Sequence, residues 1–243
     1  HYQYLQGRVT NMGHAEFDAD GLDLDQNVTC PFNSPEEVLA YDPWEEAGLY
    51  EKNALKDQFE GVYNFFCGHN PNALNMSGIY ITLFSGMIAV FGWEMLLVAG
   101  GQDRKGFGKV VHRYEKWIKQ FFEAFAESNI PIMMVHDDIT WTSGPVFHPE
   151  FYREFIFPAY TRLFAPIIES GKKIIFTSDG DYTIFFDDLV NCGIHCFVME
   201  PFTDMALFAE RYGKTHSFIG NADTRILLNG SREQIRAEVE RCI

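Results

Sequence analysis

The chain has 243 residues, 47% of them hydrophobic and 22% charged, with 23 Phe, 11 Tyr and 4 Trp, which is enough to bury a large core and excludes a disordered chain. Nineteen Lys and Arg against 34 Asp and Glu give a formal charge of −15, which repels phosphate backbones and anionic lipid headgroups, so neither nucleic acid nor membrane is an expected partner. No apolar run reaches the roughly 20 residues of a bilayer span and no leader is read at the start, while five scattered cysteines (Cys30, Cys67, Cys192, Cys196 and Cys242) suit a reducing, cytoplasmic setting.

The first residue is His and the last three fall within a helical pattern, so the sequence is expected to be part of a longer product. Residues 1–75 are read as an N-terminal extension with the first barrel elements, and residues 76–243 as the barrel itself. The extension carries acidic turns (Asp18-Ala19-Asp20-Gly21, Asp23, Asp25) and one strong helix start, where Ser34 can cap, Pro35 fits the first helical position and Glu37 can close a capping box. Ile79 to Phe84 is a predicted strand, and Met87 to Ala99, with Glu94 embedded, a predicted buried helix. From Phe107 to Glu127 the positions Val110, Val111, Tyr114, Trp117, Ile118, Phe121, Phe122 and Phe125 recur at helical spacing and predict a long helix whose aromatic stripe is core.

Four short apolar runs follow: Ile132–Val135, Lys173–Phe176, Cys196–Met199 and Ser217–Gly220, each succeeded by a helical stretch. Nearly continuous apolar runs suit strands covered on both faces, and helices between them imply a parallel sheet. A last capping box is expected at Ser231-Arg232-Glu233-Gln234. The alternation admits a doubly wound sheet or a barrel, and Gly100-Gly101 and Gly106-Phe107-Gly108, read as turn residues, make no phosphate-binding loop. The expected fold is therefore α/β, a TIM-type (β/α)8 barrel, with five of its strands readable.

Polar clusters end these strands: His136-Asp137-Asp138, Thr177-Ser178-Asp179-Gly180-Asp181, Glu200-Pro201 and Asn221-Ala222-Asp223. The C-terminal edge of a parallel sheet is where ligands bind. Asp179, Asp137 and Glu200 are the expected catalytic carboxylates, although strand alternation sends Asp137 and Asp138 opposite ways, so only one should face the site. His136, Asp138, Ser178, Asn221, Asp223 and Trp141 are expected to bind substrate. Asp181 suits an N-cap, Arg225 a buried pair with Asn221 or Asp223, and Cys192, His195 and Cys196 the core. No metal site is expected.

From Val135 to Ile243 the chain resembles the uroporphyrinogen decarboxylase superfamily, which also contains corrinoid-linked methyltransferases. The resemblance rests on Asp137-Asp138-Ile139, on His148-Pro149-Glu150-Phe151-Tyr152-Arg153-Glu154-Phe155-Ile156-Phe157-Pro158, and on Ser178-Asp179-Gly180-Asp181. Glu200-Pro201, Tyr212-Gly213-Lys214 and Gly220-Asn221-Ala222-Asp223-Thr224-Arg225 complete it. It implies the (β/α)8 barrel and action on tetrapyrroles or on corrinoid-borne methyl groups. The decarboxylases carry several N-terminal arginines for their polycarboxylate substrate, where residues 1–75 here hold Arg8 alone, and an aspartate that is missing between Gly78 and Gly92. The thiol-directed methyltransferases carry a zinc-binding His-x-Cys pair at positions that here read Thr177 and Asp179. What is expected is methyl transfer to a small acceptor such as a pterin nitrogen, with no tightly bound cofactor and a methylcobamide as co-substrate. The expected partner is a corrinoid protein docking on a rim of Trp141, Phe147 and Phe202, and a homodimer is among the expected assemblies. Tetrapyrrole decarboxylation and a non-catalytic tetrapyrrole- or partner-binding barrel are the other readings.

Overall fold

In the computed structural model, which describes residues 30–243, Ser34 Oγ accepts the Glu37 N–H at 3.4 Å and Pro35 opens α1 (Pro35–Ala40). The Glu37 carboxylate takes the Asn33 N–H at 2.8 Å, one residue earlier than the expected box. Asp42 caps α2 (Pro43–Glu46) and Glu51 caps α3 (Lys52–His69). Arg8 and the acidic turns from Asp18 to Asp25 lie outside the described residues.

After α3 come β1 (Ser77–Ile79), α4 (Phe84–Gln102) and α5 (Arg104–Ala126). The strand predicted over 79–84 therefore ends where it was expected to begin. Its second half opens α4, because a distant carboxylate, described below, collects the N–H groups of Leu83, Phe84 and Ser85. By length and composition α4 could cross a membrane, but half of it is buried in the protein, and Gly92 (φ 69°) kinks it in a region open mainly to glycine. On α5 every apolar position of the predicted stripe is buried, each such side chain contributing roughly 1.5–3 kcal/mol.

The remaining elements are β2 (Ile132–His136), the hairpin strands β3 (Thr140–Trp141) and β4 (Gly144–Pro145), α6 (Pro149–Phe151), α7 (Phe157–Glu169) and β5 (Lys173–Thr177). Then follow α8 (Phe186–Asn191), β6 (Cys196–Met199), α9 (Met205–Tyr212), β7 (Ser217–Gly220), α10 (Thr224–Asn229) and α11 (Arg232–Cys242), the last opened by the predicted capping box at Ser231 and Gln234. Between α6 and α7 lies a π-turn, Tyr152–Ile156, in which the Phe157 N–H reaches the Tyr152 carbonyl. Pro158 has no N–H to return to Glu154, and the helix widens there.

All five main strands are parallel, in the order β1-β2-β5-β6-β7, with His136 opposite Thr177, Thr177 opposite Val198 and Met199 opposite Gly220. Neighbours follow chain order without the reversal of a doubly wound sheet, which is the order of a (β/α)8 barrel. Five of its eight strands are present among the described residues. One core runs from Val38, Tyr41 and Leu55 through to Phe208, continuous across residue 75.

Two expectations are corrected in this core. Gly100, Gly106 and Gly108 are helical rather than turn residues; at Gly100 and Gly108 a side chain would collide with the rings of Phe147 and Phe155. Phe147 is accordingly no rim residue, since it packs against Phe84, Phe107 and Phe151 at ring distances of 5.9, 6.0 and 4.8 Å.

Candidate active site

At the end of β2 the alternation separates the two aspartates. Asp137 is fully buried, and its Oδ2 accepts the N–H groups of Leu83 (3.1 Å) and Phe84 (2.9 Å) and the Tyr160 hydroxyl (2.6 Å) while Oδ1 accepts the Ser85 N–H (2.6 Å). Burial pushes this carboxyl's pKa up, and the Tyr160 hydroxyl and the backbone N–H groups pull against it. Asp137 is thus the cap of α4, supplied from a neighbouring strand and complementing the positive end of the helix. Its expected catalytic role is corrected on this geometry, because its donors fill it and it faces no solvent.

Asp138 points the other way. Its Oδ1 accepts the Asp179 N–H at 2.9 Å and lies 3.2 Å from His136 Nε2, and the Asp179 carboxylate lies 3.9 Å from the same nitrogen. His136 is buried; Nδ1–H donates to the Tyr80 carbonyl at 3.0 Å, and its ring stacks on Tyr80 with centroids 4.3 Å apart. Burial pulls the imidazole pKa down, but the hydrogen bonds and charges of Asp138 and Asp179 outweigh it and push it up to about 10, so His136 is an imidazolium at neutral pH. Glu200 closes the group from the end of β6, with Oε2 accepting the Gly180 N–H at 3.1 Å. Its pKa is raised, first by partial burial and further by the charges of Asp179 and Asp138, against the Gly180 N–H and His136.

These groups are carried on loops that brace one another. Thr140 Oγ1 donates to the Asp179 carbonyl (2.9 Å), the Asp181 N–H to the Trp141 carbonyl (2.9 Å), Thr203 Oγ1 to the Gly180 carbonyl (2.8 Å), and Tyr152 OH to the Ile139 carbonyl (2.7 Å). Gly180 has φ 81°, and a Cβ there would overlap the Trp141 carbonyl. Gly180→Ala should therefore cost about 1–3 kcal/mol through strain and reduce any activity of the site; a urea midpoint equal to wild type would show that the brace yields freely.

At three of the expected substrate contacts the protein itself takes up polar atoms. Ser178 Oγ accepts the Ile139 N–H (3.2 Å) and donates to the Asp179 carbonyl (3.2 Å). Asn221 Nδ2 donates to the carbonyls of Glu200 (3.1 Å) and Thr203 (2.9 Å), and its Oδ1 accepts from Arg241 (2.9 Å). Asp223 caps α10 and pairs with Arg225 at 2.6 Å, which holds its carboxyl down at about 2. In that pair Asp223 is half-buried and Arg225 is exposed, with its guanidinium 5.1 Å from the centre of the Phe202 ring. Asp181 accepts the Thr183 N–H at 3.0 Å within the turn, while the position before the helical turn that starts at Thr183 is taken by Tyr182, so the expected N-cap is corrected.

Sequence reasoning missed Tyr80, hidden in the displaced strand; Ser85, whose Oγ accepts the Asp138 N–H at 2.7 Å; and Trp93, inside an apolar run. Trp93 and Trp141 are 41% and 44% exposed with ring centroids 5.6 Å apart. Ligating atoms of His136, Asp138 and Asp179 lie within 4.8 Å of one another, a span that one cation could bridge, at a place where no metal site was expected. Cys192 and Cys196 belong to no such group among the described residues, and Cys192 Sγ donates to the carbonyls of Phe157 and Asp188.

A histidine whose pKa is raised on folding contributes stability that is complete below its unfolded value, about 6.5, and lost as pH climbs toward the folded one. The melting temperature of the wild type should accordingly fall more steeply from pH 7 toward pH 10 than that of His136→Gln. Parallel curves would show that His136 enters the fold uncharged.

Residues 79–243 match the family model described as Uroporphyrinogen decarboxylase (URO-D). Among solved structures, a methyltransferase from Methanosarcina mazei is similar in fold, with a TM-score of 0.58 at 14% sequence identity over 79% of this chain and 53% of that one. The chain thus spans about half the length of that protein. No curated protein sequence matches it.

Proposed function

The chain belongs to the uroporphyrinogen decarboxylase family, and from that premise we propose that it is an enzyme of methyl transfer, acting between a corrinoid borne by a partner protein and a small acceptor. The observation that carries this reading is the charge of the site. Asp138, Asp179 and Glu200 face one imidazolium, and among the described residues no Lys or Arg forms an ion pair with any of the three. A polycarboxylate tetrapyrrole would meet like charges at short range, each such contact costing several kcal/mol in a partly dry site.

Methyl transfer has the opposite demand. The acceptor takes up the methyl carbon without its bonding electrons, which stay with the donor's cobalt, so the acceptor becomes more positive by one charge. Carboxylates stabilise that change. Where the acceptor atom carries a proton, we assign its uptake to Glu200, whose pKa is raised by partial burial and by the charges of Asp179 and Asp138. Asp138 and Asp179 hold the imidazolium, and the imidazolium in turn fixes them. No tightly bound cofactor is required in this reading, and the five free thiols are in keeping with a reducing cytoplasm.

The test follows methylcobalamin absorbance with the intact protein and, in turn, a thiol, tetrahydrofolate or an amine as acceptor. Acceptor-dependent loss of the methylcobalamin spectrum is expected. No change with any acceptor, together with carbon dioxide release from a tetrapyrrole carboxylate, would replace this reading by decarboxylation; neither reaction would leave a binding barrel.

A further inference from the structure

We infer that Thr82 and Ser85 are positioning residues of this site: their hydroxyls fix the main chain of His136 and Asp138, and thereby set where those two side chains stand. The placement rests on hydrogen bonds alone, and only its effect on rate rests on the methyl-transfer reading.

The need for such residues follows from the strand ladder. β1 pairs with β2 only as far as Ile79 opposite Val135, whereas β2 pairs with β5 as far as His136 opposite Thr177. Beyond that point β1 offers β2 no paired backbone, and a buried main-chain group left without a partner is costly. Side chains of residues 80–85 fill the gap. Thr82 Oγ1 donates to the His136 carbonyl at 2.6 Å and Ser85 Oγ accepts the Asp138 N–H at 2.7 Å, with both residues buried. Between them the Asp137 carboxylate takes the N–H groups of Leu83, Phe84 and Ser85, so three consecutive residues at the end of β2 are tied to one short segment.

What this segment holds is the buried half of the site. The His136 Nδ1–H is donated to the Tyr80 carbonyl at 3.0 Å, so Nε2 is the nitrogen turned toward Asp138 at 3.2 Å and Asp179 at 3.9 Å. Asp138 Oδ1 also accepts the Asp179 N–H at 2.9 Å, which passes its position on to the exposed loop. A main-chain shift at His136 or at Asp138 therefore moves the ring and the carboxylate against each other. Both hydroxyls bond to main chain rather than to the carboxylates, and they act through the residues they hold.

The experiment compares Thr82→Val, which keeps the branched shape and removes the hydroxyl, with Thr82→Ser, which keeps the hydroxyl and removes the methyl, and adds Ser85→Ala. Each intact protein is measured for methylcobalamin turnover, for melting temperature, and by proton NMR for the His136 ring N–H, assigned by its loss in His136→Gln. Thr82→Val and Ser85→Ala are expected to lower turnover by about tenfold or more and to shift or broaden the ring N–H, while Thr82→Ser keeps turnover within about twofold and the resonance in place. A role in stability alone gives a different order. Turnover that follows melting temperature instead of the hydroxyl, or a ring N–H unchanged in both Thr82→Val and Ser85→Ala, would overturn the inference. If the wild type itself turns over no methylcobalamin, the methyl-transfer reading fails and the ring N–H alone decides whether these hydroxyls position the site.

Discussion

Replacing Glu200 by Gln is expected to lower methyl-transfer turnover by about 10²–10⁴-fold while leaving the protein folded. The amide keeps the volume of the carboxylate and an oxygen for the Gly180 N–H, which Glu200 Oε2 accepts at 3.1 Å, so the loop that carries Asp179 should stay in place. What is lost is the ability to carry a proton. The sign of the pH dependence follows from the proposed role: a Glu200 that acts as a base, with its pKa raised by burial and by Asp179 and Asp138, makes the wild-type rate rise as pH climbs through a value above the ordinary carboxylate range. The variant should lose that limb of the profile as well as the rate. If the barrel only binds, removing a charge from a crowded site should instead leave the melting temperature equal or higher. Turnover, pH profile and melting temperature measured on one preparation separate these outcomes.

The largest effect on stability is expected at the end of β2, two strands away from Glu200, where Asp137→Ala should cost roughly 3–5 kcal/mol. The substitution strands three backbone N–H groups and the Tyr160 hydroxyl in the interior, and it removes the carboxylate that caps α4. Burial and a missing acceptor act in the same direction here. Asp137→Asn should fall between, since one amide oxygen can still accept while the NH2 faces donors. Asp138→Ala, next in sequence, should be far milder for stability because its carboxylate borders solvent. A urea midpoint for Asp137→Ala within about 1 kcal/mol of wild type would mean that α4 finds another cap.

The contrast between these two aspartates shows how far the sequence could be read. Alternation along β2 required that one of them face the site, and the local pattern could not say which, since the deciding partners are Leu83, Phe84 and Ser85, more than fifty residues away. The same remote cap explains why the strand predicted at 79–84 ends at Ile79. Where contacts are local the reading succeeded: the stripe of α5, the four later strands and the box at Ser231 follow from periodicity and capping chemistry. Ser178, Asn221 and Asp223 are residue types that serve loops and ligands equally, and only coordinates show that the loops consume their polar atoms. Trp93 could not be distinguished from its apolar neighbours in a run that half faces the core.

The π-turn between α6 and α7 has a bearing on how this protein can change over generations. It amounts to one residue in excess of an α-helical path. Deleting a residue between Tyr152 and Ile156 would let the helix close, but would rotate one side against the other by about 100°. The α7 side is locked by Tyr160, Leu163 and Phe164 in the interior, so α6 would have to turn, carrying the Tyr152 hydroxyl away from the Ile139 carbonyl on the segment that follows Asp138. A one-residue deletion in this helix would therefore be felt at the far end of β2, at the C-terminal edge of the sheet, although it touches no residue there.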